Sequence, residues 1–255
     1  NFHRSALAPL FFGTLNRQPA DRSRRLRLGA IPYLNGGLFE PHPVERRLAR
    51  VAFANSLWRD AFDQVFERFR FCVREAEEVD TIAPDMLGRV FERVMDESER
   101  HLTGTFYTPE SVVRQIVMAA IETALAGAAG ITADGARRIV RRETTGAEDR
   151  RAARRALREL KLLDPAVGSG AFLMGALDAL TELRLALLDE NSPDARWVLR
   201  RQILRENLFG VDLSPVAVRL AELRLWLAVV ADDPTADITR VAPLPNLDGV
   251  VRQGD

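Results

Sequence analysis

The sequence has little cysteine, little histidine and no long hydrophobic run, and each shortage excludes a class of protein. Cys72 is the only cysteine among 255 residues, so an internal disulfide and a cysteine-based zinc site are both excluded. A single thiol suits a reducing cytoplasm, where we expect the protein to work. The histidines, His3, His42 and His101, show none of the spacings typical of metal ligands, so we expect no metal. No apolar run reaches membrane-spanning length, so we expect no membrane partner.

An excess of charge of one sign is also missing. Lysine plus arginine and aspartate plus glutamate both number 36, so the net charge does not indicate a nucleic-acid partner. The strongest local cluster runs from Arg137 to Arg158, where nine arginines stand against Glu143, Glu148 and Asp149. Two interpretations of this cluster stay open: a solvated linker and helix, or a surface that contacts phosphates.

The patterning predicts two domains. Residues 1–102 are predicted to be mainly helical, because apolar residues recur at helical intervals in "NSLWRDAFDQVFERFRF" and again after Pro84. Residues 103–255 are predicted to open with a helix that has Thr108 as its N-cap and Pro109 as its first residue. The predicted buried face of that helix consists of Val112, Val113, Ile116, Val117 and Ala120.

The second half of the chain alternates strand and helix signals. "LKLLDPA" and "NLFGVDL" are short apolar runs that end at turns, which is typical of buried strands. A long amphipathic helix from about Ala171 to Glu190 follows the first run, and a helix with Ser214 as N-cap and Pro215 at its start follows the second. "GVVRQGD" is a candidate third strand. This alternation predicts an α/β fold with a parallel sheet.

The segment "DPAVGSGAFL", from Asp164 to Leu173, connects the first predicted strand to its helix. Such turns lie at the carboxyl edge of a parallel sheet, where open α/β sheets bind ligands. Gly168 and Gly170 lack a Cβ and would let the backbone, with the first helix amides, come close to a ligand. Asp164 would accept a hydrogen bond or attract a cationic group, and Asp212, at the end of the second strand, would accept hydrogen bonds from a ribose diol.

From the residues alone, two interpretations of this glycine turn stay open. It is either a cradle for a nucleoside-type cofactor, or a turn that only packs a helix against a strand. The pattern is Asp-Pro-Ala-Val-Gly-Ser-Gly and not Gly-x-Gly-x-x-Gly, which argues against a nicotinamide dinucleotide, because its pyrophosphate requires the longer glycine loop.

Several motifs, in order along the chain, resemble one family. "LLDPAVGSGAFL" resembles the cofactor motif of adenine-specific DNA methyltransferases, the S-adenosylmethionine-dependent enzymes of restriction–modification and phage-defence systems. "GTFYTPESVV" resembles the motif that precedes it in the gamma-type class, whose cofactor region comes before the catalytic region, and "NLFGVDLSPVAVRLAELRLWL" resembles the second-strand motif. "YLNGGLFE" and "IAPDMLGRVFERVM" resemble the helical region of large multidomain members. The resemblance implies a partial Rossmann-like methyltransferase sheet preceded by a mainly helical region.

The resemblance also implies a site for S-adenosylmethionine. Asp164 would lie near the methionine ammonium, Asp212 would hold the ribose hydroxyls, and Leu213 would pack on the adenine ring. Asp255 matches the acid that bonds the adenine amine in the family. Phe106 and Leu213 have an alternative interpretation as ordinary core residues. The implied cofactor-binding residues are Phe106, Tyr107, Thr108, Pro109, Asp164, Ala166, Gly168, Gly170, Asp212, Leu213 and Asp255.

The sequence departs from the family in one important respect. The catalytic tetrapeptide, Asn (or Asp)-Pro-Pro-Tyr (or Phe), is missing, since no Pro-Pro pair occurs anywhere. In the family it grips the amino group of an adenine that has been flipped out of the duplex. We therefore assign no catalytic residue and expect the cofactor-binding half of a DNA adenine methyltransferase, inactive alone. A milder departure is Val167, which stands where many members have cysteine.

The same resemblance implies binding partners, and two alternative functions stay open beside it. Double-stranded DNA would be bound through a downstream domain, and restriction or defence subunits are candidate partners. One rival is a methyltransferase that acts on protein glutamine or on a small molecule. The other is a non-catalytic module that serves as an assembly surface, against which retained cofactor affinity would count.

Overall fold

The computed structural model describes residues 1–23, 31–34, 39, 53–71, 81–82, 86, 108–189, 192–235, 241–247 and 249–254. The chain divides into two compact units, Asn1–Pro84 with Thr235–Leu247 and Asp85–Pro234 with Asp248–Asp255. The predicted domain boundary after residue 102 and most of the helix predicted after Pro84 lie outside the described residues.

The first unit is mainly helical in its described part. Its helix α1 (Ala8–Leu10) is flanked by π-helical turns at His3–Leu7 and Phe11–Leu15, and a short 3-10 turn covers Pro19–Asp21. Helix α2 (Asn55–Ala61) continues into a further π-helical turn, Phe62–Phe66, where the sequence predicts a helix. Strands β1 (Arg70–Phe71) and β2 (Thr81–Ile82) form a two-residue parallel pair.

The second unit begins with helix α3 (Glu110–Ala126), whose start differs from the prediction. The N-cap is Pro109 and not Thr108, because Pro109 keeps an extended ψ of 142° and its carbonyl accepts the first helical hydrogen bonds, from Val112 and Val113. No side chain caps this helix. Thr108 therefore precedes the cap, which lies one residue later than predicted.

The buried face of α3 is also rotated from the predicted one. Val113 and Val117 are buried as predicted, but Val112 and Ile116 are 41% and 50% exposed, and Ala120 is exposed as well. The buried stripe is Val113, Val117, Ile121 and Leu125. Apolar residues occur on more than one side of this helix, so their spacing alone does not determine which side faces the core.

Helices α4 (Ala133–Val140) and α5 (Ala147–Glu159), with Arg141 and Arg142 between them, contain the arginine cluster. Arg150 and Arg154 both donate hydrogen bonds to the carbonyl of Leu187, with a distance of 3.1 Å from Arg150. They therefore cap the carboxyl end of the helix Ala171–Leu188. Arg138 and Arg142 pair with acids on the unit's own helices. Much of the cluster is therefore structural.

A three-stranded parallel sheet with the order β3-β4-β5 confirms the predicted fold class. Strand β3 (Leu162–Asp164) is followed by α6 (Ala171–Leu188) and α7 (Pro193–Glu206), and β4 (Leu208–Asp212) is followed by α8 (Pro215–Val230). Strand β5 is Val251–Gln253, as "GVVRQGD" indicates. Ser214 caps α8 as predicted, through a 3.3 Å bond from the Ala217 amide.

Helix α7 was not predicted from the sequence. Ser192 caps this helix by accepting a 3.2 Å hydrogen bond from the Ala195 amide, and Pro193 occupies its first turn. "SPDARWVLRRQILRE" therefore contains the same Ser-Pro signal that marks α8, but its mean hydropathy is lower. Its buried residues Leu199, Ile203 and Leu204 join the core.

Two glycines set how closely the layers of the second unit approach. A Cβ at Gly175 in α6 would lie 2.5 Å from Val113 Cγ1, so this glycine lets α6 pack directly on α3. A Cβ at Gly210 in β4 would lie 2.9 Å from both Leu173 Cδ1 and Val167 Cγ2. Both glycines are packing residues, because real Cβ atoms do not come this close to their neighbours.

The amide of Asn207, which is fully buried, joins three segments at the amino edge of the sheet. Its Nδ2 donates to the carbonyls of Leu157, Arg158 and Leu160, at 3.2, 3.1 and 2.6 Å, and so closes the end of α5. Its Oδ1 accepts from Arg184, and its backbone carbonyl accepts from Leu162 at 2.8 Å to start β3. A buried polar group so placed is stabilising only while every partner is satisfied.

We expect Asn207→Ala to lower the free energy of unfolding by about 3 kcal/mol, because it leaves buried carbonyls without a donor and opens a cavity. Chemical denaturation followed by circular dichroism measures this change. Asn207→Asp keeps the side-chain volume but removes the donor, and it should be destabilising at neutral pH too. A wild-type midpoint for Asn207→Asp would show that packing, and not the hydrogen bonds, is what Asn207 contributes.

Candidate functional site

The candidate site lies at the carboxyl ends of β3, β4 and β5, as the sequence predicts. Asp164 ends β3, Asp212 ends β4 and Gln253 ends β5. In the sheet register Asp164 stands opposite Gly210, and Asp212 stands opposite Gln253. The parallel strands therefore bring two carboxylates, from positions 48 residues apart, to one edge.

The glycine turn after β3 uses its two glycines differently. Gly168 has a φ of +51°, and a Cβ built on it would meet nothing within 4 Å, so its face is open. Gly170 has a φ of +87°, and its Cβ would lie 3.1 Å from Ala221 Cβ, so its face is packed against α8. Both positions need glycine for their left-handed backbone, but only Gly168 presents open space beside its Cα.

Asp212 holds this turn to the neighbouring strand. Its Oδ2 accepts a 2.7 Å hydrogen bond from the Gly168 amide, and its Oδ1 accepts a 2.8 Å bond from the Ser214 amide at the start of α8. The Val167 amide donates to the Val211 carbonyl at 2.9 Å, which adds a backbone link between the turn and β4. Asp212 is half-buried, and each carboxylate oxygen keeps a second lone pair for a further donor.

Asp164 is the incompletely satisfied acid of the site. Its Oδ1 accepts a 3.1 Å hydrogen bond from the Ala166 amide, while its Oδ2 is buried and has no hydrogen-bond partner among the described residues. Burial raises the pKa of this carboxyl above its usual value of 3.8; the Ala166 amide opposes the rise, and the charge of Asp212 adds to it. A buried carboxylate oxygen without a partner suits a ligand that brings a positive charge or an N–H donor.

The remaining predicted residues differ in how far the structure places them. Leu213 is 65% exposed, so it is not a core residue, and its carbonyl accepts a 3.1 Å hydrogen bond from Gln253 Nε2. Gln253 was not predicted, since only the paired strands bring it beside Leu213. Thr108 and Pro109 precede α3, and no hydrogen bond within the described part of the chain joins them to the turn. Phe106, Tyr107 and Asp255 lie outside the described residues.

A separate cavity of about 520 Å³ opens at the starts of α4 and α5, away from the glycine turn. Asp149 lines it and accepts a 3.0 Å hydrogen bond from the Thr132 amide. Its lining is Gly130, Ile131, Thr132, Gly146, Ala147, Glu148 and Asp149. Over the ranges that the structure describes, no cluster of three or more metal-ligating side chains occurs, and no helix is long and apolar enough to cross a membrane.

The chain is similar to several known proteins. Residues 141–245 match the family described as MmeI, DNA-methyltransferase domain. A protein of Methanocaldococcus jannaschii, provisionally assigned as a type II restriction enzyme and methyltransferase, is 30% identical over 280 residues, covering 100% of this chain and 24% of that relative. The chain thus spans about a quarter of the length of this relative.

Two further matches agree with the first. The adenine-specific methyltransferase PglX of Streptomyces coelicolor is 38% identical over 73 residues, or 29% of this chain and 6% of PglX. The solved structure of the Type IIL restriction-modification enzyme MmeI in complex with DNA matches with a TM-score of 0.58 at 22% identity, covering 94% of this chain and 30% of that one. The structural match supports the fold, and the matches together confirm the resemblance drawn from the sequence motifs.

We expect Asp164→Asn to raise the thermal stability of the ligand-free protein at pH 7. The pKa of Asp164 is higher in the folded protein than in the unfolded chain, so folding stability falls as the pH rises from the unfolded value through the folded one. The isosteric amide removes this loss and can still accept from Ala166. The gain should shrink as the pH falls through 3.8, because the wild-type carboxyl then becomes protonated in the unfolded chain as well as in the folded protein. Melting temperatures of both proteins between pH 3 and pH 8 test this, and a gain independent of pH would contradict it.

Proposed function

Residues 141–245 match the MmeI DNA-methyltransferase domain family, and we propose that the chain binds S-adenosylmethionine for methylation of DNA. The substrate atom is the exocyclic amine of adenine, and the setting is a restriction–modification or phage-defence system in the cytoplasm. The names of the relatives support this proposal: PglX is an adenine-specific methyltransferase, and the M. jannaschii protein and MmeI combine restriction with modification.

Two observations carry the proposal: Asp164 Oδ2 is buried without a partner, and Gly168, four residues later in the same turn, has an open face. The methionine end of S-adenosylmethionine bears an ammonium group, which would neutralise the buried carboxylate and satisfy its free oxygen. The open face of Gly168 leaves room for that end of the molecule next to the backbone. The residues present therefore fit the cofactor.

The nucleoside end fits the next strand. Asp212 retains acceptor capacity on both oxygens for the ribose hydroxyls, although each oxygen already accepts one backbone amide. Leu213 projects its exposed side chain one residue further along the same edge, where an adenine ring would cover apolar surface that is otherwise in water. Phe106, Tyr107, Thr108, Pro109 and Asp255 remain proposed cofactor residues on the strength of the resemblance.

The bound cofactor supplies an electrophilic methyl group on a positively charged sulfur, and the chain's own residues contribute binding and orientation. Asp164 fixes the amino-acid end, Asp212 fixes the ribose, and the turn between them limits where the methyl group can lie. Such positioning lowers the entropic part of the barrier for an in-line transfer to the amine. The residues that grip the target amine in the resembled family have no counterpart among these 255 residues, so we propose that the chain alone binds the cofactor without transferring its methyl group.

DNA is the proposed macromolecular partner, and α5 offers a surface for it. The side chains of Arg151, Arg155 and Arg158 are exposed, and these side chains form no hydrogen bond or ion pair among the described residues. Spacings of four and three residues place them on one face of α5. This row is distinct from Arg150 and Arg154, which cap α6. It favours the phosphate-contacting interpretation for this part of the arginine cluster.

We expect the protein to bind S-adenosylmethionine, and Asp164→Asn to weaken binding by about ten- to a hundredfold, because a charge-assisted hydrogen bond is lost. Isothermal titration measures both affinities. Asp212→Ala should weaken binding as well, since it removes an acceptor of the ribose and releases Gly168.

Asp134→Asn is the matched control for these titrations. Asp134 is an exposed acid that pairs with Arg138 on α4, and its loss should leave the affinity unchanged. A folded wild-type protein that binds no S-adenosylmethionine would refute the proposed function and would favour the assembly-module alternative.

We expect the double variant Arg151→Gln/Arg155→Gln to weaken binding to duplex DNA and to reduce the slope of log affinity against log salt by about 2, one for each lost phosphate contact. Fluorescence anisotropy with a labelled duplex at several salt concentrations measures the slope. Arg196→Gln/Arg205→Gln on α7 removes the same charge from another helix and should leave the slope nearly unchanged. Equal losses in both double variants would mean that only net charge matters, and not the α5 surface.

A further inference from the structure

A buried arginine of α8, Arg224, forms hydrogen bonds with the glycine turn. Arg224 is 4% exposed, and its Nη1 donates to the Ser169 carbonyl at 2.8 Å and lies 3.2 Å from Ser169 Oγ. Ser169 is itself 8% exposed and stands between the two left-handed glycines. The guanidinium therefore contacts the buried part of the turn at Ser169.

Two further contacts connect α8 to the turn. Ala221, one helical turn before Arg224, is the residue against which Gly170 packs. Ser214, at the N-cap of α8, donates its amide to Asp212, which in turn accepts from Gly168. Consecutive residues of the turn, Gly168, Ser169 and Gly170, are thus each fixed through β4 or α8.

We propose that Arg224 is a positioning residue for the methionine end of S-adenosylmethionine, which it affects only through Ser169 and the turn. A peptide flanked by two left-handed glycines has more accessible backbone conformations than ordinary residues have. A hydrogen bond from a buried guanidinium to the Ser169 carbonyl selects one of them, because a buried charge is strongly penalised when its acceptors move away. The selected conformation leaves the Gly168 face open and keeps its amide on Asp212.

This inference rests on the proposed function. It predicts that loss of Arg224 weakens binding of the whole cofactor more than binding of its nucleoside part. Arg224→Gln should weaken S-adenosylmethionine binding about tenfold, because the turn no longer holds one conformation. Binding of 5′-deoxy-5′-methylthioadenosine, which has the nucleoside but lacks the amino-acid end, should change less than threefold. Arg224→Lys keeps a charged donor on a shorter reach and should lie between the wild type and Arg224→Gln.

Arg184→Lys is the matched control for a buried arginine. Arg184 is 7% exposed and donates to Asn207 and Gln202, at the amino edge of the sheet and away from the turn. Its substitution should lower the melting temperature without changing the ratio of the two ligand affinities. The proposal is overturned if Arg224→Gln leaves that ratio at the wild-type value, whether both affinities fall together or neither falls.

Amide hydrogen exchange tests the positioning role without any ligand. In Arg224→Gln the peptide that covers residues 165–171 should exchange at least fivefold faster, while peptides from β4 and α6 stay at the wild-type rate. Unchanged exchange in the turn would overturn the inference even if the wild type binds the cofactor. Absence of wild-type binding together with faster turn exchange would refute the proposed function and retain the positioning of the turn by Arg224.

Discussion

The hydrogen bonds that Asp212 accepts from Gly168 and from Ser214 connect the parts on which the candidate site depends. One carboxylate at the end of β4 fixes the turn after β3 with one oxygen and the start of α8 with the other. Asp212 therefore fixes the position of the turn relative to α8. Each oxygen of Asp212 accepts only one amide and keeps a second lone pair. The same carboxylate can therefore also accept hydrogen bonds from a ligand.

The site combines one satisfied acid with one unsatisfied acid. Asp212 receives two backbone donors and needs no ligand to be stable, whereas Asp164 has a buried oxygen with no partner among the described residues and a raised pKa. A protein under selection for stability alone would replace such a group. This contrast is why Asp164 supports a binding function more strongly than the glycine pattern does.

Local sequence signals predicted the elements that position the site. The Ser-Pro start of α8, the apolar runs of β3 and β4 and the glycine turn all lie where the sequence indicated, because each depends on residues close together in the chain. The face of α3 was misassigned, since Val112 and Ile116 are as apolar as the residues that are buried. The contact of Arg224 with Ser169 spans 55 residues and leaves no local signal, so only the folded chain shows it.

Gly210 and Val167 share one volume between β4 and the glycine turn, since even a single methyl group at Gly210 would meet the side chain of Val167. The two positions are therefore constrained to change in a fixed order during sequence divergence. Position 167 must become smaller, and Leu173 Cδ1 must move aside, before position 210 can acquire a side chain, because the reverse order passes through an overpacked intermediate. The identities of residues 167 and 173 therefore decide which substitutions at residue 210 are accessible.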